Sequence, residues 1–69
     1  MIEYLLYNGR HDPACLHGSI CMDEPPKVGI GLAVPAKDNR EAFLGRVRHF
    51  HPTDTDKPTT RFTVFVEKI

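Results

Sequence analysis

The chain of 69 residues has no tryptophan, only two cysteines and no excess of charge of either sign, because nine Lys and Arg balance nine Asp and Glu. Zero net charge provides no long-range field that would draw the chain onto nucleic acid or an anionic membrane. Two cysteines allow at most one internal disulfide, which excludes the disulfide-rich frameworks of small secreted domains. There is no run of about 18 apolar residues, so we expect no membrane-spanning helix.

What is present is typical of one small folded domain. The hydrophobic content is 41%, whereas disordered chains combine low hydrophobicity with high net charge. The chain is too short for two domains of the usual size, so residues 1–69 are predicted to form a single globular unit. The first residues lack the basic start and long apolar run of a signal peptide, so we expect a cytoplasmic location with reduced thiols.

Composition and alternation predict four β-strands, over residues 2–7, 15–22, 27–34 and 61–69. The first ends at Asn8-Gly9, a strong hairpin signal because both residues tolerate positive φ. In the last strand, Phe62, Val64 and Val66 fall on one face. These connections favour an antiparallel sheet.

The segment between the third and last strands has helical spacing. Asp38 and Glu41 match a capping box, and Pro52 ends the segment. One apolar stripe at 3.6 residues per turn contains Phe43, Leu44, Val47 and Phe50. The alternative is a strand over residues 45–51 that pairs with the last segment across the loop of residues 52–60, but its faces separate apolar from charged side chains poorly. The predicted fold is therefore α+β, in the order β-β-β-α-β, with about four strands and one helix packed on one face.

Metal-ligating residue types recur at two places, namely Cys15, His17 and Cys21 early in the chain and His49 and His51 later. Zinc takes tetrahedral sets of Cys and His. If residues 15–21 form one strand, Cys15 and Cys21 lie about 20 Å apart, too far to share an ion or to form a disulfide. We therefore expect no metal site and no cofactor, with the cysteines as small buried hydrophobes and the histidines at the surface.

Catalysis has little support in the sequence. There is no Gly-rich phosphate loop and no recognisable context around a nucleophile and base. A chain this short also has little volume for a deep pocket that excludes water. We therefore predict that the protein is not an enzyme.

A binding function is the remaining class. The sheet face opposite the helix would carry Leu5, Tyr7 and Phe65, which is more apolar than a solvated face needs. We expect a protein-interaction module, such as a compact inhibitor or adaptor of the kind that phages encode. A homodimer is an alternative form of this interaction. The predicted partner-binding residues are Arg40, Arg46, Arg48, His49 and Arg61.

Two alternatives to this hypothesis stay open. One is a nucleic-acid-binding domain that uses the arginines of the predicted helix, Arg46 and Arg48, together with Arg61. The other is a small fold stabilised by zinc.

Overall fold

The computed structural model describes residues 1–56 and 59–69, and its regular structure is almost entirely β. In these ranges the elements are β1 (Ile2–Asn8), a 3₁₀ turn (Pro13–Cys15), β2 (Leu16–Met22), β3 (Gly31–Val34), β4 (Phe43–Pro52) and β5 (Arg61–Lys68). Lys57 and Pro58, which belong to the predicted loop, lie outside the described residues.

The strands form one sheet in the order β2-β1-β5-β4-β3. β1 and β5 run parallel, and the other neighbouring pairs are antiparallel. The sheet curls into about half a barrel, and its inner face carries the buried core of Tyr4, Leu6, Leu32, Val34, Val47, Phe62, Val64 and Val66. The inward face predicted for the last strand is confirmed, since all three of its predicted apolar residues are buried. A single curled sheet buries one face and leaves the other for solvent or a partner.

The predicted α+β fold, an antiparallel sheet of about four strands with one packed helix, is wrong, because the sheet is mixed and has five strands. The segment assigned to the helix forms β4, which pairs with β3 on one side and β5 on the other. The capping box does not form either, because Asp38 has φ 54° in a tight turn. The backbone amides of Lys37 and Arg40 donate to each other's carbonyl oxygens across that turn. The strand alternative for residues 45–51 describes this part of the chain correctly.

A β-bulge in β4 explains why the apolar residues of this strand have the spacing of a helix. The register of β4 on β5 shifts between Val47 and His49, so one extra residue sits in β4. Alternation places residues 43, 45 and 47 inward, and the extra residue then makes Phe50 the next inward side chain. The inward apolar residues of a bulged strand therefore repeat at the i, i+4 and i+7 positions of a helix. Leu44, the fourth member of the predicted stripe, is 63% exposed.

The β1–β2 pairing contains a second register shift, between Leu5 and Tyr7. Gly18 has φ 89° there, a conformation that side chains other than glycine rarely adopt. The shift turns His17 to the inner face, where it is only 4% exposed. The third strand is also shorter than predicted, because Gly29 has φ 96° and interrupts the extended run before β3.

Candidate functional site

The outer face of the sheet carries a group of aromatic side chains at its centre. Tyr7 lies beside Phe65 in the parallel pairing of β1 with β5, and His49 lies opposite Phe65 in the pairing of β4 with β5. His51 comes two residues later on β4 and shares the face of His49. His11 reaches the group from the connection between β1 and β2. We call these five residues the ring cluster.

Phe65 is the centre of the ring cluster. Its ring centroid lies 5.8 Å from that of Tyr7 and 5.9 Å from that of His11. On the other side it lies 5.7 Å from His49, which stacks at an interplanar angle of 24°, and 5.8 Å from His51. Aromatic pairs at such distances contribute about 0.5–1.5 kcal/mol each beyond the area they bury. The contacts therefore hold the five side chains together on the sheet surface.

The ring cluster faces solvent. Its three histidines are exposed, and Tyr7 and Phe65 are partly buried. The surface therefore presents polar imidazole groups together with two partly covered aromatic rings, and aromatic residues are enriched at protein interfaces.

Two groups of ion pairs flank the ring cluster along β5. Arg48 contacts Glu67 with an N–O distance of 3.2 Å. At the other end of the strand, Arg61 lies 2.7 Å from Glu3 and 3.8 Å from Asp54. We call these contacts the rim pairs. They are solvent-exposed, so each contributes little to folding stability, but they place charges of both signs around the aromatic centre.

The structure brings four of the five predicted partner-binding residues to this face. Arg46, Arg48 and His49 lie on β4, and Arg61 begins β5. Arg46 is exposed and forms no ion pair with any residue that the structure describes. Arg40 lies elsewhere, at the open side of the sheet, where its Nη1 donates to the carbonyl oxygen of Leu16 at 3.2 Å.

Sequence reasoning found the outward Tyr7 and Phe65 but missed their association with the histidines. The alternation of β4 after the bulge, which puts His49 and His51 on one face, is a local signal that could have been used. His11 reaches Phe65 only because the first and last strands pair in parallel. No local pattern in the sequence indicates that pairing.

The predicted metal-ligand candidates are not gathered into one set. The expectation of buried cysteines and surface histidines is wrong for two residues, because the free thiol of Cys21 is exposed and His17 is buried on the inner face. Cys15 is a free thiol that is partly buried, and His49 and His51 lie on the outer face. Among the described residues, no three His, Cys, Asp or Glu side chains are placed to hold one ion together. A structural zinc site takes four protein ligands, so this arrangement gives no support to a zinc-stabilised fold.

A cleft of about 600 Å³ opens where the two ends of the curled sheet approach each other. Its lining includes the buried His17, the partly buried Phe43 and the exposed cations Arg40 and Lys68. Most of the lining side chains are exposed, so the cleft does not enclose a ligand in the way that a small-molecule site does.

None of the helices in the described part of the chain is long and apolar enough to cross a membrane. Comparisons of the chain with protein-family models, with curated proteins and with solved structures give no match. A functional assignment therefore depends on the geometry of the outer face.

Proposed function

We propose that this chain is a non-enzymatic protein-interaction domain, an inhibitor or adaptor, that docks on a partner protein through the outer face of its sheet. The observation that supports the proposal is the ring cluster with its rim pairs. Protein interfaces combine an aromatic centre, which carries most of the binding energy, with a polar rim that excludes water. The outer face has this arrangement across β1, β5 and β4.

The charges of the face favour a partner of mixed polarity. Arg48 and Arg61 are each paired with a carboxylate, so the rim carries both signs. Arg46 has no such partner among the described residues and fits a carboxylate on the docking protein. The expected partner surface therefore has an apolar patch opposite the ring cluster and an acidic group beside it.

Site-specific photocrosslinking tests this proposal. A photoreactive amino acid is placed at position 51, within the ring cluster, or at the control position 23, because Asp23 is exposed and follows β2 at the far end of β1 from Tyr7. In a lysate of the cells that naturally make the chain, we expect position 51 to crosslink one protein and position 23 to give no such product. Phe65→Ala, once its circular dichroism spectrum matches that of the parent, should reduce the crosslink because it removes the centre of the cluster.

Two outcomes would contradict the proposal. Equal crosslinking from positions 51 and 23 would show that the contact is unspecific. A crosslink from position 51 to a second copy of this chain, together with a dimer in light scattering, would assign the outer face to a homodimer instead.

Single-stranded nucleic acid is the second candidate ligand. The observation that favours it is the set of five rings on a sheet surface, because bases stack on aromatic side chains with about 1–3 kcal/mol per base. Against it stand Glu3 and Glu67, which occupy two of the arginines that phosphates would need. We therefore rank this function below protein binding.

Fluorescence anisotropy with labelled single-stranded oligonucleotides distinguishes the two candidates. Nucleic-acid binding should weaken steeply as salt rises and should disappear in the double variant Arg46→Glu, Arg48→Glu. Absence of any salt-sensitive binding at low ionic strength would exclude this second function.

A further inference from the structure

His49 and His51 have the placement of a chelating pair. They are two residues apart on β4, so both imidazoles project from the same face of the strand. Their ring centroids lie 6.1 Å apart. Both side chains are exposed, so water and ions reach them without any opening of the fold.

The distance between the two rings is close to what one metal ion requires. Metal–nitrogen bonds to imidazole are about 2.0–2.1 Å long, which places the centroids of two rings on a tetrahedral ion roughly 5 Å apart. The rings of His49 and His51 therefore need to approach by about 1 Å. Both side chains are exposed, so small rotations about their side-chain bonds bring the rings together without movement of the backbone.

A hydrogen bond already fixes His51 in the form that binds metal. Its Nδ1 lies 3.0 Å from the carbonyl oxygen of Pro52. A carbonyl oxygen only accepts, so Nδ1 carries the proton and donates. In the neutral ring, Nε2 then keeps its lone pair. Metal-binding histidines almost always donate their other ring N–H to a carbonyl or carboxylate in this manner, which orients the ring and increases its basicity.

From these observations we propose that His49 and His51 form a surface chelate for one divalent transition-metal ion, with water completing its coordination. The ion class is Cu²⁺, Ni²⁺ or Zn²⁺, because imidazole suits these ions and the usual affinity order places Cu²⁺ first. The chelate has two protein ligands, consistent with the finding that no three candidate side chains among the described residues converge on one point. His11 is equally near, with its ring centroid 6.2 Å from that of His51, but it lies on the connection between β1 and β2 and not on β4. This proposal does not depend on the docking function.

Isothermal titration with each metal chloride alone tests the chelate. The parent for all variants carries Cys15→Ser and Cys21→Ser, because free thiols also bind these ions. We expect one ion per chain, with Cu²⁺ bound most tightly. His49→Ala and His51→Ala should each weaken binding by more than about tenfold, a loss at least as large as that for an outer-shell partner, whereas His11→Ala should change it less. Binding should also weaken as the pH falls, because protons compete for the imidazole nitrogens.

NMR spectroscopy provides a second measurement of metal binding that does not depend on the heat of reaction. Cu²⁺ is paramagnetic, so substoichiometric amounts should broaden the NMR resonances of His49 and His51 first, while the buried His17 serves as the internal control. Unchanged affinity in both alanine variants would overturn the proposal. Loss of binding in the His11→Ala variant equal to that in the His51→Ala variant would also overturn it, in favour of a three-histidine site.

Discussion

The imidazole of His17 on β2 packs edge-on against the ring of Phe43 on β4, with ring centroids 5.2 Å apart. β2 and β4 are not neighbours in the sheet, because β1 and β5 lie between them. The contact therefore spans the inner side of the curled sheet. His17 Nδ1 also lies 3.4 Å from the carbonyl oxygen of Pro35, which follows β3 at the opposite edge. The buried side chain of His17 thus connects the edge strand β2 to β4 and to the residue that follows β3 at the opposite edge of the sheet.

His17→Ala should lower the free energy of unfolding by about 2 kcal/mol, since it removes a buried ring and its aromatic contact. Urea denaturation followed by circular dichroism measures the loss. Leu44→Ala is the control, because Leu44 is 63% exposed and its truncation should cost less than about 1 kcal/mol. Equal losses in the two variants would show that His17 does not stabilise the curl.

Gly45→Ala should destabilise the fold because the added methyl group would press against three packed side chains on the inner face of the sheet. An added Cβ would lie 3.1 Å from Val66 Cβ, 3.2 Å from Phe43 Cε2 and 3.2 Å from Val34 Cγ2. Overpacking of this kind costs about 1–3 kcal/mol. The midpoint of a urea denaturation curve should therefore fall.

Gly31→Ala is the matched control for this prediction. Its added Cβ would have Gly45 O and Ile69 Cδ1 as nearest neighbours, both at 3.9 Å, which is an ordinary van der Waals contact. Gly31 lies on β3 without a positive φ, so alanine should be neutral or slightly stabilising. If Gly45→Ala were as stable as Gly31→Ala, the packing described for the inner face would be incorrect.

The sequence predicts four of the five strands because their signals are local. Alternation in residues 61–69 assigns Phe62, Val64 and Val66 to one face correctly, since no bulge interrupts β5. β4 was predicted as a helix for a physical reason, because its bulge adds one residue to a period of two and reproduces helical spacing. Gly45 also occupies an inward position of β4, but glycine has no side chain, so it does not contribute to the alternation of apolar residues that predicts a strand.

The candidate site is harder to predict than the strands. Tyr7 and Phe65 are recognisable as outward side chains, but they lie 58 positions apart in the chain. Only the parallel pairing of β1 with β5 brings them together. His11 and His51 join them through a connection and a bulge. These non-local contacts depend on strand order, and no local pattern in the sequence indicates that order.

Tyr4→Phe should change how the free energy of unfolding depends on pH above about pH 10. Burial, and secondly the nearby Glu24 carboxylate, raise the pKa of Tyr4 above its ordinary value of 10.0. As the pH rises above about 10, the unfolded chain loses this proton before the folded chain does, so the free energy of the unfolded state falls relative to that of the folded state. The stability associated with Tyr4 is fully present below that pH and is lost as the pH rises towards the folded pKa.

The Tyr4 hydroxyl also donates to the backbone carbonyl oxygen of Glu24. Tyr4→Phe should therefore cost about 1 kcal/mol near neutral pH, but above about pH 10 it should lose less stability than the parent. Urea denaturation at each pH measures both effects. Tyr7→Phe, which alters a ring on the outer face, is the control and should follow the parent. Parallel alkaline curves for all three proteins would contradict the assignment.

The hydroxyls of Thr53 and Thr63 form a hydrogen bond of 2.9 Å between the segment after β4 and the strand β5. Their surroundings differ, because Thr63 is only 2% exposed and Thr53 is partly exposed. Removing one partner leaves the other hydroxyl without its bond. The cost should therefore depend on which hydroxyl remains.

Thr53→Val should cost more than Thr63→Val. The first leaves the buried Thr63 hydroxyl unsatisfied, at about 1–3 kcal/mol, whereas the second leaves a hydroxyl that water can reach. In the double variant no unsatisfied hydroxyl remains, so its loss should be smaller than the sum of the two single losses. Thermal and urea denaturation of the four proteins complete this double-mutant cycle. Strict additivity would show that the two hydroxyls do not interact, and a larger loss for Thr63→Val would show that the buried hydroxyl has another partner.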